Sequence, residues 1–319
     1  MEVACRFAQT PGVTPNRMSI LVGLHHATRY SYGRPIRLGP QIVRLRPAPH
    51  CRARIARYAL TVKPARHFVN WQQDPYGNWL ARFVFPEKTE EFLIDVDLNA
   101  EFAAVNPFDF FLEPYAQTWP FAFPAELSED LAAFLAPEPA GPRLQELIRS
   151  ISHQPSDTVD FLVTLNRRLK RMIRYVTRLD PGVLAPEETL RSGVGSCRDT
   201  AWLLAQLLRH LGLPARFVSG YLIQLKPDKA SPEDRGVVEH DAAELHAWTE
   251  VYLPGAGWIG LDPTSGLLCG EGHLPLAATP HYRSVAPVSG TVEPCEVGFS
   301  YAIRVERIAG DGAPALSSN

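Results

Sequence analysis

The sequence predicts an α+β chain: an N-terminal antiparallel, β-sandwich-like domain, then a domain in which a buried helix packs on antiparallel strands. Three patterns predict it. Residues 19–105 hold five or six short runs of period two, separated by turn residues. Residues 157–177 repeat apolar side chains at helical spacing. After Gly193 and Gly195 an apolar stretch runs to Leu211, and strand-like segments follow it. A chain of 319 residues exceeds the roughly 250 at which single cores usually stop growing, so two domains are expected.

The elements follow in order. Residues 1–18 lack both periodicity and the apolar core of a signal peptide, so they read as a disordered leader, with Met1 and Met18 both open as starts. In the β domain, HHATRYSYG ends at Gly33 and IVRLRPAP alternates until its prolines. ARYALTVKP puts Tyr58, Leu60 and Val62 on one face. Two runs flank Asp74-Pro75-Tyr76-Gly77-Asn78, a hairpin signal. EFLIDVDLNAEF places Phe92, Ile94, Val96 and Leu98 together.

Residues 106–156 are a linker rich in proline and aromatics, with short helices. It is expected to pack down, because its aromatics would otherwise be exposed. Within it LSEDLAAFLAP reads as a helix capped by Ser128 and stopped by Pro137.

Residues 157–308 make the second domain, with its final strand. The helix over 157–177 has Asp157 as cap. It turns Leu162, Leu165, Leu169, Met172, Ile173 and Val176 inward and a basic, solvated face outward. The helix from Cys197 to Leu211 is apolar nearly all round, hence buried, and ends at Gly212 and Pro214. ARFVSGYLIQL is a strand. LHAWTEVYL is a second, with His246, Trp248, Glu250 and Tyr252 on one face. GWIGLDPTS stops at Asp262-Pro263, and FSYAIRVERI is a last strand before a frayed tail, 309–319.

Composition excludes several classes. Thirty-two Lys+Arg against 34 Asp+Glu leave a net charge of −2, unlike a dedicated nucleic-acid binder or an acidic disordered chain. No apolar run approaches the ~18–20 residues that span a bilayer. The five cysteines are odd in number and form no CxxC, so neither a disulfide framework nor a structural zinc site is expected. A reducing, cytoplasmic setting fits best. No phosphate loop or dinucleotide fingerprint occurs, and no cofactor is expected. His240, Asp241 and Glu244 lack a second histidine at metal spacing apart from His246, so no metal is expected either.

Cys197 lies where a glycine-rich turn enters a helix. The free N–H groups and positive end of the dipole there favour a thiolate and an oxyanion. His246 and Asp262 follow at gaps of 49 and 16 residues, on segments that adjacent antiparallel strands would bring together. By residue type alone a structural alternative stands: a cysteine starting a helix, a packed histidine and an Asp-Pro turn.

GSCRDTAWLLAQLLRHLGLPARFVSGYL followed by HAWTEVYLPGAGWIGLDPT resembles the core of the transglutaminase-like superfamily, which is papain-like. The cysteine motif, H-A-W and D-P-T all occur in order. HHATRYSYGRPIRLGPQIVRLRPAP resembles the β domain that precedes this core in bacterial members, and the likeness spans roughly residues 19–308. Some similar chains are much longer, and 319 residues fit both a complete small enzyme and the front of a longer one. The resemblance implies Cys197 as nucleophile, His246 as base and Asp262 as orienting acid, acting on a peptide or protein amide through an acyl-thioester. Hydrolysis is the first reading; acyl transfer to an amine and a non-catalytic binding module are the alternatives. It also draws attention to Tyr175 as an oxyanion donor, to Ser196, to Asp199 as a helix cap or a substrate contact, and to Trp248 as a shield for His246. Residues 178–192 and 226–243 are the loops expected over the cysteine.

Overall fold

The computed structural model describes residues 19–178, 180–226 and 240–308. The expected leader, most of the 226–243 loop and the tail lie outside the described residues.

The chain opens with β1 (Ser19–Ile36), β2 (Leu38–Val43), β3 (Arg54–Lys63), β4 (Phe68–Gln73), β5 (Trp79–Val84) and β6 (Thr89–Ala103). The expected alternation in β6 is present, with Phe92, Ile94, Val96 and Leu98 all at most 1% exposed. They face Phe83, Ala81 and Ile36 in one apolar core. The β4–β5 hairpin closes where expected. Asp74 Oδ1 accepts the N–H groups of Tyr76 and Asn78, and Gly77 takes a left-handed φ of 81°.

The connection holds the two-residue strand β7 (Thr118–Trp119) and helices α1 (Ala125–Asp130), α2 (Ala132–Leu135) and α3 (Pro142–Arg149). Part of it packs down as expected: Trp119 is buried and stacks on Phe161 at 3.8 Å. Phe111 instead stays 87% exposed. Ser128 is not a cap. Helix α1 starts three residues earlier, and the Ser128 N–H bonds the Pro124 carbonyl inside it.

Beyond the short strand β8 (Ser156–Asp157) comes α4 (Thr158–Met172), capped by the Asp157 carboxylate on the N–H groups of Val159 and Asp160. Leu162, Leu165 and Leu169 are buried as expected. The helix does not reach residue 177. After Met172 the backbone leaves it to bond another segment, as β9 (Arg174–Tyr175). Then come α5 (Pro186–Ser192), β10 (Val194–Gly195) and α6 (Cys197–His210). The chain continues with β11 (Ala215–Gln224), β12 (Ala242–Leu253), β13 (Gly257–Asp262), β14 (Leu267–Leu268) and β15 (His273–Thr279). Among the described residues the last strands are β16 (Val288–Val292) and β17 (Val297–Arg307). Among the described residues no helix is long and apolar enough to cross a membrane.

One antiparallel sheet, in the order β14-β13-β12-β11-β15, carries a core on each face. Helix α6 covers one face: Trp202, Leu203, Leu204 and Leu208 meet Phe217, Ala247 and Val251 there. The other face packs on the β domain through Tyr221, Ile223, Leu274 and Leu276. His26 of β1 and the Tyr221 hydroxyl share a buried hydrogen bond of 2.7 Å across this joint. The sequence expectation grouped the final strand with the second domain. Backbone hydrogen bonding assigns it elsewhere: β17 pairs with β1 from Tyr32 to Val22, and β16 pairs with β2. The β domain is therefore completed by strands that follow the core in sequence.

Candidate active site

A pair of turns prepares Cys197. Helix α5 closes at Gly193, whose left-handed φ of 65° lets its N–H reach the Thr189 carbonyl at 3.0 Å. Strand β10 then pairs in parallel with β9, and the Val176 N–H bonds the Gly195 carbonyl at 3.0 Å. This pairing is what ends α4 early, and it sets Tyr175 beside the cysteine. Burial first, then the neighbouring Cys197 and Glu244, push the Tyr175 phenol above its ordinary value.

Helix α6 starts at Cys197 with Ser196 as its cap. The Ser196 N–H (2.9 Å) and hydroxyl (2.7 Å) both donate to Asp199. That carboxylate, fully buried, also accepts the Leu184 N–H at 2.8 Å and pairs with Arg178 at 2.9 Å. Burial alone would raise the Asp199 carboxyl; Arg178 and the three donors outweigh burial and hold it below the usual range. Every acceptor direction is spent on structure, so of the two readings for Asp199 the capping one holds and the substrate one does not. Ser196 lines the cleft, but its hydroxyl is committed to Asp199.

His246 stands on β12 and Asp262 ends β13, the neighbouring strand. Their side chains are both 2% exposed, with His246 Nε2 3.3 Å from Asp262 Oδ2. Burial would push the imidazole down; Asp262 and then Cys197 reverse this and raise it to about 10. Burial likewise works against the Asp262 carboxylate, and His246, His273 and Thr264 together hold it well below the carboxylate range. Asp262 Oδ1 accepts the Thr264 N–H (2.9 Å) and hydroxyl (2.7 Å). The structure thus gathers Cys197, His246 and Asp262 as the sequence suggested, with Cys197 and His246 in the wall of one cleft of about 470 Å³. Trp248 is buried and stacks at 27° beside His246, at the back of the site rather than in the cleft.

The sequence reading missed two residues. His273 of β15 brings Nε2 to 3.6 Å from Asp262 Oδ2, the same oxygen that His246 approaches. No motif marked it, because 11 residues and a sheet crossover separate it from Asp262. Asn166 of α4 donates to the Asp262 carbonyl at 3.2 Å and the Leu267 carbonyl at 3.0 Å, fixing the end of β13. Its place on the buried helix face was the only available signal. His246, Asp262 and His273 offer ligand atoms within 4.8 Å of one another. Both ring nitrogens face one carboxylate oxygen, an arrangement suited to two N–H donors. Asp241 is taken by the Lys226 N–H and Arg307. The thiols of Cys51 and Cys269 are pushed up by burial.

Residues 22–101 match the bacterial transglutaminase-like N-terminal region, and residues 145–263 match the transglutaminase-like superfamily. An uncharacterized protein of Mycobacterium tuberculosis is 29% identical over 279 residues, covering 84% of this chain and 86% of its own length. A protein-glutamine gamma-glutamyltransferase of Pseudomonas aeruginosa is 36% identical over 70 residues, 22% of this chain and 10% of that protein. A solved structure from Cytophaga hutchinsonii, of a protein proposed to be a cysteine protease, shares the fold with a TM-score of 0.67 over 93% of both chains at 18% identity.

Proposed function

The chain belongs to the transglutaminase-like superfamily, with the bacterial N-terminal region ahead of its core, and on that premise we propose that it is a cysteine amidohydrolase acting on a peptide or isopeptide amide. One observation carries the reading: a buried imidazole, 3.3 Å from a buried carboxylate, lines one cleft with a cysteine at a helix N-terminus.

In this reading Cys197 Sγ attacks the amide carbonyl carbon, its proton having passed to His246. The negative charge collects on the carbonyl oxygen near the N-terminal N–H groups of α6, which have no carbonyl one turn earlier to bond. The Tyr175 hydroxyl is the second donor. The C–N bond breaks as His246 returns the proton to the departing amine, leaving a thioester on Cys197. Water then attacks the thioester, with His246 as base, and releases the carboxylate. Asp262 keeps the imidazole oriented and supports its charged form; Asn166 and Thr264 hold Asp262 in turn.

A second reading keeps the same acyl-enzyme and replaces water by a primary amine. The 70-residue similarity to the Pseudomonas glutamyltransferase favours it. The test is incubation of the enzyme with a glutamine-containing peptide and a labelled primary amine in H₂¹⁸O. Hydrolysis predicts ¹⁸O in a new carboxylate, absent in Cys197→Ala. Label in the peptide instead selects transfer, and neither product overturns both readings.

A further inference from the structure

We propose that strand β17 forms a side-chain subsite of the catalytic cleft, in which its Phe299 and Tyr301, with Tyr282 and Val285 of the core, receive a large apolar side chain of an extended peptide substrate. This rests on the peptide-amide reading above and names which peptides that reading favours.

The strand's alternation supplies the first argument. Val297, Phe299 and Tyr301 share one face and are 48%, 52% and 49% exposed. A stripe of large apolar groups left open to water marks a surface that something covers. Its position supplies the second. In the β1–β17 register Phe299 pairs with Tyr30 and Tyr301 with Thr28. Thr28, Phe299 and Tyr301 line the same cleft as Cys197 and His246. Phe299 and Tyr301 therefore share a cleft with the reacting atoms, although β17 lies about a hundred residues after Cys197 in sequence and belongs to the other domain's sheet.

The wall is also braced. Phe299 lies 5.2 Å from Tyr30 and 5.9 Å from Tyr301. Tyr30 stacks on Phe92, which is 1% exposed in the β-domain core. A wall so anchored has little side-chain freedom to lose when it is covered. Thr28, Phe299, Tyr301, Tyr282 and Val285 carry no charge, so a side chain seated on this patch gains apolar burial there, while Arg283, 5.7 Å over the Tyr282 ring, stands at its edge. The occupant the wall selects is apolar and large: phenylalanine, leucine or a similar residue near the attacked amide.

The test measures binding apart from catalysis. In Cys197→Ala protein, fluorescence anisotropy would compare labelled peptides that differ at one position near a central glutamine: Phe, Leu, Ala or Glu. The Phe and Leu peptides are expected to bind about tenfold tighter than the Ala and Glu peptides. Adding Phe299→Ala and Tyr301→Ala should bring all four within about twofold, whereas Val297→Ala, on the same stripe but outside the cleft, should leave the preference intact. Melting curves check that each variant folds. Equal binding of the four peptides, or a preference that survives the double substitution, overturns the subsite. The same peptides given to the enzyme with Cys197 intact separate the two readings. Selective binding without amide cleavage keeps the subsite and overturns the amidohydrolase; cleavage without selectivity does the reverse.

Discussion

Gly220 stands opposite His246 in the β11–β12 pair, and the indole of Trp248 fills the space where a side chain at 220 would lie. A Cβ there would also meet the Leu274 carbonyl oxygen of β15. Gly220 is thus the point where two strands and the ring behind the histidine converge. Gly220→Ala is expected to destabilise the fold by about 1–3 kcal/mol through overpacking. Because Trp248 and His246 stack, kcat should fall more than KM changes. Thermal melting with steady-state kinetics on the same variant checks both.

Asp262→Ala should move the imidazole in a known direction. In the intact site the carboxylate and the thiol outweigh burial and keep His246 charged up to about pH 10. Without the carboxylate, burial dominates and the imidazole loses its proton at much lower pH. The His246 imidazole, followed by NMR across pH, should lose its proton several pH units lower than in the intact protein, and kcat should fall by about 10³–10⁴-fold. An unmoved titration would show that Asp262 does not sustain the charge.

His273→Phe should lower kcat about tenfold while leaving KM within twofold. The ring volume is retained, but the imidazole nitrogen 3.6 Å from Asp262 Oδ2 is lost, so Asp262 takes up a proton at higher pH. The acid limb of the rate profile should therefore rise in pH, and His273→Gln should restore part of the activity. A role in packing alone would leave that limb in place.

Asp199→Ala removes a buried carboxylate from four donors at once and strands the Arg178 charge. The expected loss is about 3–5 kcal/mol. Urea denaturation measures it. A loss confined to activity at unchanged stability would return Asp199 to the substrate.

A pair of buried histidines bends the pH dependence of stability in opposite senses. His26 is lowered to about 4, by burial first and then by His25. Its unfolded form binds the proton more readily, so its contribution is present above pH 6.5 and is lost as pH falls toward 4, on the order of 3 kcal/mol in all. His246 is raised to about 10, so its contribution is present below pH 6.5 and is lost as pH rises through 10. Denaturation midpoints across this range should fall at both ends. His26→Gln, which can still bond the Tyr221 hydroxyl, should flatten the acid side only.

Much of this was legible in residue order. Period-two alternation in β6, the Asp157 cap, the hairpin at Asp74–Asn78 and the buried helix from Cys197 all depend on neighbours within a few positions. The misreadings have separate causes. Helix α4 was expected to run to 177, because Ile173 and Val176 continue its apolar spacing, yet the backbone of residues 174–176 bonds Gly193 and Gly195 instead. Ser128 looked like a cap because the helix start at Ala125 follows Pro124 rather than a side-chain acceptor.

The sequence by itself pointed to most local elements, to the family and to the candidate residues Cys197, His246 and Asp262, since spacing along the chain encodes periodicity and motif. Tertiary structure alone showed that Asp199 ties Ser196, Leu184 and Arg178 together, that His273 and Asn166 lie against Asp262, and that β17 pairs into the β domain and lines the cleft. Those relations join residues brought together by sheet pairing and burial, and a linear pattern records neither which strands meet nor what a buried polar atom finds to bond.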